Sequence, residues 1–149
     1  MFKNILAALD GSNHSKRAAV VATDLAIQYD SQLQFLSVTK KASARIPDDL
    51  RRYMEVEDLT GASERLVSEV VEKVLADAEN HARKKGVKNV RRLIESGPVA
   101  RTIISVAKRE NADLIVVGSR GLGDLEGLLL GSISHKVVSL ADRNVMIVR

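Results

Sequence analysis

Apolar residues fall along this chain in two alternating patterns. Three short runs are almost unbroken, NILAALD (residues 4–10), DLIVVG (113–118) and NVMIV (144–148), each bounded by turn-forming residues. Runs of that length without polar alternation belong to strands covered on both faces, as parallel strands are. Between them apolar positions recur at helical spacing. Residues 15–29 place Ala18, Ala19, Ala22, Leu25 and Ala26 on one side, and residues 63–85 do the same with Val67, Val70, Val71, Val74, Leu75, Ala78 and Ala82. Both stretches predict amphipathic helices. LQFLSVT (33–39) and NVRRLIES (89–96) add two strands, and Arg91 and Arg92 assign the second of these to a wetter place, a sheet edge. A helix is expected after GPVA (97–100), with Pro98 suited to its first turn, and another from near Ser132.

Strands and helices therefore alternate throughout, and right-handed crossovers wind such a chain into an α/β fold: a doubly wound, five-stranded parallel sheet with helices on both faces. The long connection at residues 40–61, charged and containing Pro47, receives no element. Ligands of sheets in this class sit beyond the carboxyl ends of the strands, where the strand order reverses. Two strand ends are unusual. The first runs into Asp10-Gly11-Ser12, and the fourth into VVGSRGLGDLEGLLLGS (116–132), which carries five glycines before the next helix.

Lacking a Cβ, Gly118, Gly121 and Gly131 are free to take positive φ and to let a bulky anion reach main-chain amides. The helix start beyond Gly131 adds unpaired N–H groups and a positive dipole end, and Ser132 and Ser134 add hydroxyls, so the loop is shaped for a polyphosphate. Asp10 and Ser12 admit two readings, ligand contact or the turn and N-cap residues that commonly precede a helix; Ser132 is read as N-cap and phosphate donor together. Two familiar nucleotide motifs are absent. There is no G-x-x-x-x-G-K-[ST], and Gly121-Leu122-Gly123 runs into Asp124-Leu125-Glu126 without completing G-x-G-x-x-G.

Composition narrows the chemistry. The 149 residues, 45% hydrophobic, suit one domain over 1–149. With 28% charged residues and no bilayer-length apolar run, no membrane partner is expected, and the start MFKNILAALDGS lacks the layout of a secretory signal, so the expected location is the cytoplasm. Cysteine is absent, and His14, His81 and His135 lie far apart, which excludes thiolate chemistry and argues against a histidine metal cluster. The net charge is +4. Six basic residues fall within RKKGVKNVRR (83–92), but positive charge at a helix C-terminus complements the dipole without a partner. With two tyrosines, two phenylalanines and no tryptophan, a stacking platform for single strands is not expected.

Gly118-x2-Gly121-x9-Gly131-Ser132 resembles the G-x2-G-x9-G-[S/T] signature of ATP-binding members of the universal stress protein family. The resemblance extends to the opening ILAALDGS, to SGPVARTIISVAKRENADLIVVGSRG and to the closing GSISHKVVSLADRNVMIVR, which is essentially the whole chain. It implies a flavodoxin-like or Rossmann-like sheet in the order 3-2-1-4-5. By that resemblance Asp10, aided by main chain at Ala8 and Leu9, contacts adenine, and Val38 and Val117 wall the base. Gly118, Gly121, Gly131, Ser132, Ile133 and Ser134 match the positions holding ribose and phosphates. Mg²⁺ often accompanies such a triphosphate, although no dedicated carboxylate cage is present for it. Asn144 stands where the family often has a proline before its last strand.

The implied function is ATP binding by a stress-response protein that acts as a nucleotide-dependent sensor or regulator, with slow hydrolysis at most. No base, loop lysine or arginine finger is arranged for phosphoryl transfer, so no catalytic residue is assigned. Arg120 is read either as a phosphate contact or as a solvated side chain, and His135 lacks an acid or base partner. The alternatives are a genuine hydrolase or adenylylating enzyme, an AMP or cyclic-nucleotide binder, and a basic module for nucleic acid or protein. An apolar final strand at a sheet edge invites pairing, and the expected partner is a second copy in a homodimer through that strand.

Overall fold

The computed structural model describes residues 1–40, 59–122 and 130–149. Among the described residues five strands, β1 (Asn4–Ala8), β2 (Gln32–Thr39), β3 (Val90–Ser96), β4 (Leu114–Gly118) and β5 (Asn144–Val148), alternate with four helices, α1 (Asn13–Tyr29), α2 (Leu59–Lys84), α3 (Val99–Arg109) and α4 (Ser132–Leu140). The sheet order is β3-β2-β1-β4-β5. Every pairing is parallel. The expected doubly wound α/β sheet and its order are therefore observed.

Strand side chains alternate between two cores, as the period of two requires. Ile5, Ala7, Leu33, Phe35, Leu114 and Val116 point to the face covered by α1 and α2. Leu6, Leu36, Ile115 and Val117 point to the other face, against Ile103 and Val106 of α3 and Val137 of α4. Both sides of β1 and β4 are thus apolar, which is why these strands read as unbroken runs.

The edges differ. On β3 Arg91 and Arg92 are exposed, and ion pairs dress the strand: Arg92 to Glu79 at 2.6 Å and to Glu72 at 3.2 Å, and Arg91 to Glu110 at 3.8 Å. A charged edge resists pairing with another strand. Among the described residues no ion pair dresses β5, whose last four residues are half-buried.

Two boundaries and one face depart from the expected pattern. Helix α1 starts at Asn13, two residues early, because the Ser12 side chain accepts from the Ser15 amide and caps it. Helix α2 starts at Leu59, four residues before the first expected position. Its apolar stripe does not stay on the core: Leu75 and Ala82 are buried, but Val67 and Val70 are 52% and 61% exposed. Most of the connection at 40–61 lies outside the described residues, as do loop glycines Gly123 and Gly127.

Candidate functional site

Ala8 is in register with Leu36 on one side and Val117 on the other, so the ends of β1, β2 and β4 open together at the sheet's carboxyl edge. The chain divides there: β2 and β3 continue to one side of β1, and β4 and β5 to the other. This switch point is where an α/β sheet leaves a crevice.

The turn leaving β1 is set by hydrogen bonds. Leu9 N–H donates to the Leu36 carbonyl at 2.8 Å, extending the sheet by one residue. Gly11 then takes φ +86, a value only glycine adopts readily, and an added Cβ would lie 3.2 Å from Val74 Cγ2. The Ser15 hydroxyl receives the Gly11 amide at 3.1 Å and donates to the Ser12 carbonyl at 3.0 Å. Asp10 closes the turn with Oδ1, which accepts from Ser12 N–H at 2.9 Å. Its Oδ2 accepts from Leu122 N–H at 3.1 Å, on the glycine loop after β4. The turn-forming reading of Asp10 and Ser12 is thus realised, and the same aspartate also anchors a remote loop.

At Gly118 the physical reason for glycine differs from the one expected. The described glycines with positive φ are Gly11, Gly86 and Gly97; Gly118 belongs to β4, and Gly131 has φ −71. What Gly118 permits is contact: a Cβ there would sit 2.7 Å from the backbone carbon of His14 and 2.9 Å from Ser15 N, so α1 starts directly against β4. The next residue, Ser119, is a hub. Its amide donates to Val148 O at 2.7 Å, and its carbonyl accepts from Gly131 N–H at 2.6 Å and from the Ser134 hydroxyl at 2.9 Å. Its own hydroxyl lies 2.9 Å from His14 Nδ1.

Helix α4 begins with Gly131 as N-cap, not Ser132, which is the first helical residue. The reason is backbone conformation: Gly131 is extended, at ψ 162, while its carbonyl already accepts the first helical bond, from His135 N–H at 3.0 Å. Amides of the preceding turn sit ahead of that bond, at the positive end of the helix. Ser134 is buried, and its hydroxyl donates within the protein, to the Ser119 and Gly131 carbonyls, so the side-chain phosphate donor expected there is engaged in holding the loop.

These parts enclose a cleft of about 390 Å³, within the usual range for small-ligand sites. Of the residues expected at a site, Ala8, Leu9, Asp10, Val38 and Val117 line it from the strand ends. Gly118, Gly121, Ser132, Ile133 and Ser134 line it from the loop and α4. Gly131 stands just behind, as the N-cap. Sequence reasoning missed Val99 and Ile103, one helical turn apart on α3, which complete the apolar wall with Leu36. The start of α3 at GPVA was a usable signal. Lys40, at the end of β2, was missed as well; Arg120 stood there only as one of two readings. Among the described residues no group of three or more His, Asp or Glu is placed to hold a metal, and no helix is long and apolar enough to cross a membrane.

The profile of the universal stress protein family matches residues 1–149. The chain belongs to that family. Among its family relatives it is 41% identical over 149 residues to the universal stress protein encoded in the QAH/OAS sulfhydrylase 3′ region of Thermus aquaticus, with 100% of both chains covered. It is 34% identical to universal stress protein YxiE of Bacillus subtilis, again covering 100% of each. Three solved structures of like fold are hypothetical protein MJ0577, with a TM-score of 0.80 at 22% identity, covering 99% of this chain and 96% of that one; a universal stress protein in complex with cAMP, at 0.70 and 22%, covering 99% and 97%; and one from Archaeoglobus fulgidus in complex with dAMP, at 0.62 and 21%, covering 99% and 98%. In this universal stress protein Gly118, Gly121 and Ser132 line the cleft, and Gly131 caps the helix that bounds it.

Proposed function

We propose that this universal stress protein binds an adenine nucleotide, ATP foremost, in the cleft between β1 and β4, and acts as a nucleotide-dependent sensor or regulator. The observation that carries this reading is convergence: Asp10 after β1, the loop from Gly118 to Leu122 and the first turn of α4 face one cavity with an apolar inner wall and a helix N-terminus at its rim. An apolar slot suits a base, and helix-start amides suit phosphate. In this reading Asp10 with Ala8 and Leu9 selects adenine, Val38 and Val117 flank it, and Gly118, Gly121, Gly131, Ser132, Ile133 and Ser134 serve ribose and phosphates. Ser134 contributes through its amide, since its hydroxyl is engaged.

Any Mg²⁺ would arrive on the phosphates' own oxygens, because Asp10 is the one carboxylate among the described lining residues and both its oxygens accept amides. The same scarcity of acid and base groups supports hydrolysis that is slow at best. The proposal extends to a cytoplasmic protein of one domain, paired through the open β5 edge into a homodimer. A second reading, an AMP or cyclic nucleotide as the resident ligand, is favoured by the cAMP and dAMP held by two proteins of this fold.

Mass spectrometry of the nucleotide that co-purifies decides between ATP and a monophosphate. Calorimetry on the wild type, Gly121→Val and Asp10→Ala tests the cleft: the valine crowds the phosphate rim, and the alanine narrows the preference for ATP over GTP. Unchanged affinity and selectivity in two folded variants would remove the site.

A further inference from the structure

The cleft's charge is unbalanced in a way that the nucleotide motif does not explain. Its described lining holds two cations, Lys40 at the end of β2 and Arg120 in the loop after β4, against the single carboxylate of Asp10. That carboxylate is turned to main chain, accepting from Ser12 and Leu122 amides. Arg120 is fixed in place by its backbone: the Ser12 hydroxyl donates to its carbonyl at 3.4 Å, and the neighbouring Ser119 is tied to β5 and α4. One donor of its half-buried side chain is not satisfied. Arg120 Nε is withdrawn from solvent and has no hydrogen-bond acceptor.

A buried guanidinium donor with no acceptor is unfavourable, because it has lost water without gaining a partner. At the wall of a cleft that holds two cations and one engaged carboxylate, the group that complements the rest of the guanidinium is an anion. Guanidinium is the side chain best matched to phosphate, presenting parallel donors to two oxygens, whereas an ammonium acts as a point charge.

We infer that Arg120 and Lys40 are the specificity-determining cations of this cleft, supplying counter-charge to the phosphate chain of the ligand and setting its preference for polyphosphate over nucleoside. The N-terminus of α4 attracts any phosphate through its dipole; the two cations count its charges. The inference rests on the nucleotide reading of the cleft, and the experiment separates the two.

Calorimetry is run with adenosine, AMP, ATP and inorganic tripolyphosphate on the wild type, Arg120→Gln, Lys40→Gln and Arg120→Lys, at low and high salt. Glutamine keeps a donor and removes the charge; lysine keeps the charge and removes the fork. The expected result is a loss of about tenfold in ATP affinity for each glutamine variant, the scale of one charge-assisted hydrogen bond, with adenosine affinity unchanged. Salt weakens ATP binding less steeply in each variant than in the wild type, since fewer opposite charges remain to be screened. Arg120→Lys restores part of the loss.

Equal losses for adenosine and ATP would overturn the inference, since Arg120 would then only hold the loop in shape. So would ATP binding unchanged by either glutamine. If the wild type bound tripolyphosphate in a manner dependent on Arg120 but bound no nucleotide, the nucleotide reading would fall and the cationic site would stand.

Discussion

Asp10 and Leu122, 112 positions apart, meet through a hydrogen bond of 3.1 Å from the Leu122 amide to Asp10 Oδ2. The bond joins the turn after the first strand to the glycine loop after the fourth, across the mouth of the cleft. Because Oδ1 is already committed to the Ser12 amide, one carboxylate fixes both walls of the site. Asp10→Ala removes both acceptors and is expected to lower stability by about 1 kcal/mol, the usual net value of a hydrogen bond. Hydrogen exchange gives the sharper readout. In Asp10→Asn the Leu122 amide loses protection, because the side-chain NH₂ places donor against donor, while the Ser12 amide keeps its Oδ1 partner. Unchanged exchange at Leu122 in both variants would mean that the two walls are not tied in this way.

Gly118→Ala tests the contact between α1 and β4. With a Cβ placed 2.7 Å from the His14 backbone, the helix start has to move, and no flexible side chain can yield in its place. Chemical denaturation is expected to report a loss of about 1–3 kcal/mol, as for overpacking of a tight core. A loss below about 0.5 kcal/mol, the range of a neutral surface change, would refute the packing argument.

The cap of α1 makes a smaller prediction. Ser12 accepts from Ser15 N–H at 3.2 Å. Ser12→Ala is expected to cost about 1 kcal/mol and Ser12→Gly only a few tenths, the ordinary ranking at an N-cap. Thermal or urea melts of the two variants reveal the difference in order; alanine proving the milder change would show that the cap contributes nothing.

His14 and Ser119 couple the same helix to the loop, with Nδ1 and Oγ 2.9 Å apart. Arg17 Nη2 also approaches Nδ1, at 3.2 Å, so this nitrogen is the acceptor and the ring proton sits on Nε2. A double-mutant cycle of His14→Ala and Ser119→Ala is expected to give a coupling of about 0.5–1.5 kcal/mol, as neighbours in one hydrogen-bond network do. Additive losses would place the two residues in separate networks.

The proposed homodimer is checked by sedimentation of the wild type. With an open β5 edge and a charged β3 edge, the expected species at micromolar concentration is a twofold dimer. A monomer alone at that concentration refutes pairing through β5.

Element types were legible in the sequence because each rests on a local period, and the sheet order was legible through the resemblance to a family. The unbroken runs at 4–10 and 113–118 could only be strands covered on both faces, and Arg91 and Arg92 marked an edge. The position of the cleft followed from the strand order, and the glycine spacing from the loop. The face of α2 was read too broadly: Val71, Val74 and Ala78 pack against the core with Leu75, whereas Val70, five residues and about 140° around the helix from Leu75, is exposed, as is Val67.

The roles of individual residues were decided by tertiary structure. A motif requires glycine at Gly118 without saying whether the reason is backbone φ or a neighbour, and only the arrival of α1 at 2.7 Å answers that. Ser134 has the composition of a phosphate donor, but its hydroxyl is taken by carbonyls of Ser119 and Gly131. Lys40 and Arg120 are 80 positions apart, and nothing local unites them. Sequence determines periods, and periods determine elements; hydrogen-bond partners and orphaned donors are properties of distance between remote segments, which exist only once the sheet has brought the segments together.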